Sequence, residues 1–493
     1  GVLHIGRLSD TIRSASVHKA LLDAGVKSKL IWVSEDMDPL RKVPQGVPEK
    51  YKEYIGMAVT DIPDPNGCHN SYAEHHREEY LKVIDMFVDT KMEKFSMREE
   101  YKKGCFNEYI KKIINHVEEI KNILRKYRDS EIPEGWSPFK PICQKCGKIA
   151  TPKVTKFEEG KVHYICEDYS FETTTAKGCG YKGVADPIKD PGKLMWKSEW
   201  ASQWARWSVC SEGAGKEYQV PNSAFWVNGE ICEKTLGFPM PVPIFYEHLM
   251  IDGKKMSASL GNVVYPKEWL EVATPELLRL LYNKRLMKTR SFSWKDIPRL
   301  YDEYDRMAEL YAGQKKLENV KKEEHARRLF DISHGEKVHK PLKLSFSHAL
   351  IVCQIYEKES DIINSLKKTG HWQEEYKEEI FERLKKAKKW LEKYASEEDK
   401  FEIQESVGEW VKNYLDEKQK KALSMVAERV RKNKYTDKEL HNEFYNICRE
   451  LELDPKDFFK GAYMVLLKKE RGPLLASFVL TLGEKALKLF ESI

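Results

Sequence analysis

Long apolar runs are missing from this chain of 493 residues: none approaches the roughly 18 residues of a membrane-spanning helix. Repeats of fixed period and low-complexity segments are also absent, which excludes solenoids and biased linkers. Net charge is slight, at +6, although 33% of the residues are charged, so the balance alone names no partner. Ten cysteines in so long a chain do not make a disulfide scaffold. Four of them have ribbon-like spacing and suggest reduced thiolates holding a metal, with a cytoplasmic setting expected. An initiator Met is lacking too. The chain begins inside a motif, and the strand expected ahead of Gly1 is missing, so N-terminal truncation is expected.

The length predicts two to four domains. Residues 8–24 read as a helix, with Leu8, Ile12, Ala15, Val17, Ala20 and Leu21 as its apolar positions and Gly25 as its stop. Residues 29–33 then read as a buried strand, which makes motif, helix and strand the start of a βαβ unit. The acidic stretch 34–38 falls at the strand's carboxyl edge, where such folds bind ligands. Residues 107–127 read as one amphipathic helix. A Pro- and Cys-containing insert spans about 133–191, and Thr274-Pro275-Glu276 is a helix start. Beyond about Trp294 the pattern is almost wholly helical.

Two motifs carry chemistry. Gly1-Val2-Leu3-His4-Ile5-Gly6 opens the chain, and Gly253-Lys254-Lys255-Met256-Ser257-Ala258-Ser259-Leu260-Gly261-Asn262 follows far downstream. In this order the pair resembles the two nucleotide-binding signatures of class I aminoacyl-tRNA synthetases. Gly6 lets ATP approach the backbone, a helix N-terminus offers amide donors, and His4 can donate to phosphate oxygens. Lys255 can neutralise charge on leaving pyrophosphate, Ser257 and Ser259 can donate to phosphate, and Gly253 and Gly261 can act as hinges. Together they imply an acyl-adenylate mechanism, with Mg2+ accompanying ATP.

Two clusters suit metal. Cys143-x2-Cys146 and Cys166-x12-Cys179 offer two thiolate pairs with Cys-Gly knuckles, which suit structural zinc; the long second gap leaves His163 as a substitute. Asp64, Cys68, His69 and His75 form a mixed set, with His76 as a competitor of His75. Both sets can close a four-ligand shell, so neither metal is expected to be catalytic.

Several segments agree, in order, with one family. Ser34 to Pro44, Ile62 to His69, Lys193-Leu194-Met195-Trp196, Phe245-Tyr246-Glu247, the 253–262 loop and Glu470-Arg471-Gly472-Pro473 make the chain similar to the class I lysyl-tRNA synthetases over almost its whole length. The resemblance implies an α/β fold: a Rossmann-type nucleotide-binding domain with a zinc-bearing insert, followed by an all-α anticodon-binding cage. It implies segments 1–105 and 201–250 for the two catalytic halves and 106–200 for the insert. Segment 251–297 then carries the second motif and a stem-contact region, and 298–493 the helical domain. It also implies a lysine pocket with Trp196 and Tyr246 as aromatic walls. Asp36, Asp38 and Glu217 are candidates for the anion that a buried ammonium needs. The Asp64 cluster resembles a zinc site of archaeal-like members.

The chain departs from the family's pattern at Arg7, at Glu217-Tyr218, at Pro221-Asn222-Ser223 and at Leu260. Implied partners are tRNA(Lys), ATP and L-lysine, with no membrane and a monomer expected. Basic runs at 385–389 and 429–432 can meet phosphates or form solvated helix faces. Two rival readings are a glutamyl-type class I synthetase, which the acidic 34–38 edge disfavours, and a non-catalytic tRNA-binding paralogue.

Overall fold

The computed structural model describes residues 4–493 except 45, 134, 257–260 and 336–340. The chain divides into two compact units, one of residues 1–263 and 281–291 and the other of 264–280 and 292–493. No helix among the described residues is long and apolar enough to cross a membrane.

The first unit is α/β. A short 3-10 turn, Ile5–Leu8, runs directly into the helix Ser9–Asp23, which Gly25 ends with φ +77°. Leu30–Ser34 follows and pairs in parallel with Met92–Ser96, joined through the helix Tyr72–Phe87. A second parallel pair, Ser211–Gly215 with Val242–Tyr246, is connected by the helix Ala224–Ile231. Parallel strands need such crossovers. The first helix packs closely on the second pair: a Cβ on Gly213 would stand 3.3 Å from Ser14 Oγ. The expected helix over 107–127 is two helices, Asn107–Asn115 and Val117–Lys126. His116 breaks it, with φ −118° and ψ 28° and its ring Nδ1 2.8 Å from Lys112 O.

The insert is a small antiparallel module. Pro152–Glu158, Lys161–Cys166 and Lys182–Ala185 form its sheet, and Phe139–Pro141 pairs with Gly192–Leu194 beside it. Glycine is required at 192, because a Cβ there would lie 2.3 Å from the Phe139 ring. The long gap between Cys166 and Cys179 is a hairpin of Tyr169–Ser170 and Thr175–Ala176, tied at its neck by Gly178 N donating to Asp168 at 2.9 Å.

The second unit is helical. Its core gathers apolar residues from Glu417–Lys432, Asp437–Leu451, Pro455–Leu467, Leu475–Leu482 and Glu484–Glu491. Asp416 and Thr436 close capping boxes with Gln419 and Glu439. The basic runs are not plain phosphate strips. Lys386 is buried and donates to Leu270 O, Arg429 pairs with Glu443 and Glu450, and Arg431 pairs with Glu484 and Glu491.

Candidate active site and metal-binding groups

His4 is the residue before the 3-10 turn, and its extended backbone (φ −138°, ψ 161°) starts the chain into the helix. Its ring folds back over Gly6. A Cβ on Gly6 would come within 2.9 Å of His4 Cε1 and Nδ1, and 3.5 Å from Met256 Cε. Gly6 therefore makes room for the imidazole. Met256 brings the second motif to the first. Burial, and then Arg7, hold the His4 imidazole below its ordinary pKa, so it is neutral at pH 7.

The first motif is braced by two tyrosines. Tyr282 Oη donates to Ile5 O at 2.7 Å, and Tyr80 Oη donates to Arg7 O at 3.3 Å. Lys255 lies in the short strand paired with Leu249–Ile251, and its Nζ stands 3.3 Å from His248 Nε2. His248 in turn is 3.5 Å from Glu217. Ser257, Ser259 and Leu260 lie outside the described residues.

Residues between the motifs form a cluster of perturbed acids and bases. Asp10 is pushed up to about 6 by burial, helped by Glu217 and opposed by Arg13. The residue nonetheless stands exposed at the first turn of the helix Ser9–Asp23. Arg13 is lowered to about 10 by burial. Its guanidinium lies 4.2 Å from the Tyr246 ring centroid and 4.8 Å from that of Tyr282. The cation resting on Tyr246 is thus the chain's own Arg13. Glu212, which accepts from Trp204 Nε1 at 3.0 Å, is pushed up to about 7 by burial.

The expected pocket residues fall in different surroundings. Glu217 is exposed in a 3-10 turn and tucks its carboxylate against Gly215. Trp196 begins the helix Trp196–Trp207, stacks on Trp200 at 4.9 Å and is 37% exposed, so it has surface to offer. Asp36 is buried and already used: it accepts from Arg98 N at 3.0 Å, with Arg77 at 3.8 Å. Asp38 is exposed and lies 3.5 Å from Lys193 Nζ and 3.6 Å from Arg41.

Sequence reading missed a group beside them. Glu35 accepts from Gln203 Nε2 at 2.7 Å, and Glu199, fully buried, accepts from Tyr101 Oη at 2.8 Å and lies 2.8 Å from Lys193. Burial first, and Glu199 second, push Glu35 up to about 8. Glu199 and Gln203 are four apart on one helix face, which is the only sequence signal that could have paired them.

Both expected metal clusters are assembled. The Sγ atoms of Cys143 and Cys179 are 3.7 Å apart, and those of Cys146 and Cys166 are 3.6 Å apart. Disulfides are far shorter, whereas 2.3 Å bonds in a tetrahedron separate sulfurs by about 3.8 Å. Gly147 N donates to Cys143 O and Gly180 N to Cys166 O, both at 2.9 Å, with both glycines at positive φ. These are the two knuckles. His163 stands in the sheet opposite Val184 and is not among the clustered donors.

In the second cluster, Cys68 Sγ lies 3.1 Å from His69 Nδ1, 3.2 Å from His75 Nδ1 and 3.2 Å from Asp64 Oδ2. All four donors lie within 4.8 Å of one another. His76 turns to Glu79 instead, so His75 is the member. Either cluster can hold a metal ion.

A family model described as tRNA synthetases class I (K) matches residues 1–336. The lysine–tRNA ligase of Methanocaldococcus jannaschii is 31% identical, the match covering 98% of this chain and 92% of that one. That of Picrophilus torridus is 30% identical, over 100% and 94%. A solved glutamate tRNA ligase from Elizabethkingia meningosepticum overlays with a TM-score of 0.42 at 12% identity, covering 99% of this chain and 96% of that one. The chain belongs to the class I tRNA synthetases (K), and it is an aminoacyl-tRNA synthetase with an α/β part and a helical C-terminal part.

Proposed function

We propose that the chain activates L-lysine with ATP and transfers it to tRNA(Lys). The lysine carboxylate attacks the α-phosphorus, the bond to pyrophosphate breaks, and lysyl-adenylate forms. A ribose hydroxyl of the tRNA then attacks the lysyl carbonyl, and AMP leaves. His4 donates to phosphate oxygens from the helix start, which also supplies backbone donors. Lys255 compensates the charge that grows on pyrophosphate, with Mg2+ arriving on ATP, and Ser257 and Ser259 add donors.

The observation that supports this most is the meeting of the two motifs, Met256 against the space over Gly6. The choice of lysine is supported by relatives about 30% identical over nearly the whole chain. For the amino-acid pocket we keep Trp196, Tyr246 and Glu217. Asp36 positions the segment at Arg98, and Asp38 stands at the rim with Lys193. Zinc is the ion we assign to Cys143, Cys146, Cys166 and Cys179, and to Asp64, Cys68, His69 and His75, as a structural clip in each case. Residues 298–493 are assigned to reading the anticodon, and residues 106–200 to the insert between the catalytic halves. A cytoplasmic monomer is the assembly we expect.

The test is ATP–pyrophosphate exchange with lysine, with glutamate as the competing amino acid. Exchange with lysine alone is expected. Lys255→Ala should lower its rate by about 10²–10³, as loss of one transition-state contact does. Exchange with glutamate would favour the glutamyl-type reading, and tRNA binding with no exchange at all would favour the non-catalytic one.

A further inference from the structure

We propose that His348, His371 and Asp437 form a third metal site, in the helical unit, for a divalent transition cation of the zinc and cobalt class. These residues come from three places: the first turn of Phe346–Ile355, the loop after Glu359–Lys368, and the first turn of Asp437–Leu451. One donor atom from each lies within 4.8 Å of the others. They line a cavity of about 320 Å³.

His348 carries the argument. It is only 3% exposed, and neither ring nitrogen has a hydrogen-bond partner. A buried polar ring left unsatisfied on both nitrogens is costly, and a site that supplies it with a ligand explains it. The other two donors are held from behind, as metal ligands usually are. His371 Nδ1 lies 2.9 Å from Thr369 Oγ1, which leaves Nε2 for an ion. Asp437 accepts from Ser477 Oγ.

The two imidazoles stack at 4.0 Å, an arrangement that two protonated rings would resist. Metal binding takes the neutral imidazole. Two nitrogens and one carboxylate oxygen suit zinc, cobalt or nickel better than calcium or magnesium. Three protein ligands leave a further position facing the cavity, where His441 stands one turn beyond Asp437. The nearby cations, Lys343 and Lys438, oppose the ion, and the Asp437 carboxylate offsets them.

The test uses the full chain, stripped with chelator and reloaded with Co2+. Thiolate-to-cobalt charge transfer reports the two cysteine-containing clusters, and the proposed site has no thiolate. His371→Gln and Asp437→Asn should each bind one equivalent of Co2+ fewer than the unaltered chain, with the charge-transfer band unchanged. Equal equivalents in variants and parent would overturn the proposal. Should a variant fail to fold, anomalous scattering at the cobalt edge from crystals of the unaltered chain decides. A peak between His348, His371 and Asp437 supports the site, and its absence there overturns it.

Discussion

Buried charge is arranged differently in the two units. In the helical unit Arg383 meets Asp305 through two N–H···O bonds of 2.6 and 2.9 Å, donates to Leu344 O at 2.7 Å, and lies over the Tyr301 ring. The cation and the anion meet in bidentate geometry. In the α/β unit Glu35, Asp38 and Glu199 gather around the buried Lys193, Asp38 also meeting Arg41, and Glu35 Oε2 has no hydrogen-bond partner. A matched pair keeps both groups charged and serves as scaffold. An unmatched cluster shifts pKa values, as Glu35 beside Glu199 does. Buried charge thus holds the fold together in one unit and perturbs its own acids in the other.

The sharpest way to break that contrast is to unbalance the helical unit. Arg383→Met leaves Asp305 without this guanidinium, and its unfolding free energy should fall by about 3–5 kcal/mol in urea titrations. Arg383→Met with Asp305→Leu should recover most of the loss, because neither charge then remains. Equal losses in the single and double variants would show that packing against Tyr301, not charge matching, was at stake.

The converse change is to relieve the α/β unit. Glu35 has a folded pKa of about 8 against an ordinary 4.5. The folded state therefore binds its proton more tightly than the unfolded state. Its contribution is fully present below about pH 4.5 and is lost as pH rises through 8. Glu35→Gln keeps an acceptor for Gln203 and removes the charge. The variant should be more stable than the parent at pH 8, by at least the 1.4 kcal/mol of about one pKa unit. That advantage should shrink towards pH 5. Parallel stability curves for the two proteins from pH 5 to 8 would refute the assignment.

What the sequence made legible follows the range of the forces involved. The helix Ser9–Asp23, the strand Leu30–Ser34 and the knuckle of Cys143 and Cys146 rest on neighbours a few residues apart, and they read directly. The His116 break did not, because the apolar stripe continues through it while one imidazole–carbonyl contact interrupts the backbone. The long gap before Cys179 leaves the second knuckle open to His163 in sequence, since a hairpin can be inserted between two ligands without moving either. Glu35 with Lys193 and Glu199, Arg13 over Tyr246, and the His348 group were invisible. Each joins residues tens to hundreds apart whose meeting is set by packing, and periodicity records burial without recording charge.

Helix caps lie at the legible end, and they give the smallest effect. Asp416 accepts from Gln419 N at 2.7 Å, and Gln419 Oε1 accepts from Asp416 N at 3.0 Å, three residues apart in sequence. Asp416→Ala removes one acceptor at an exposed helix start, while Ala422, Leu423, Val426 and Ala427 keep the helix Glu417–Lys432 in the core. The loss in urea titrations should be about 1 kcal/mol, well below that of Arg383→Met. Asp416→Asn retains the acceptor and gives up the charge near the positive end of the helix dipole, so it should lose only a few tenths of that figure. If Asn proved as costly as Ala, the charge rather than the hydrogen bond would be the stabilising feature. The helical unit would then depend on electrostatics at its surface as well as in its interior.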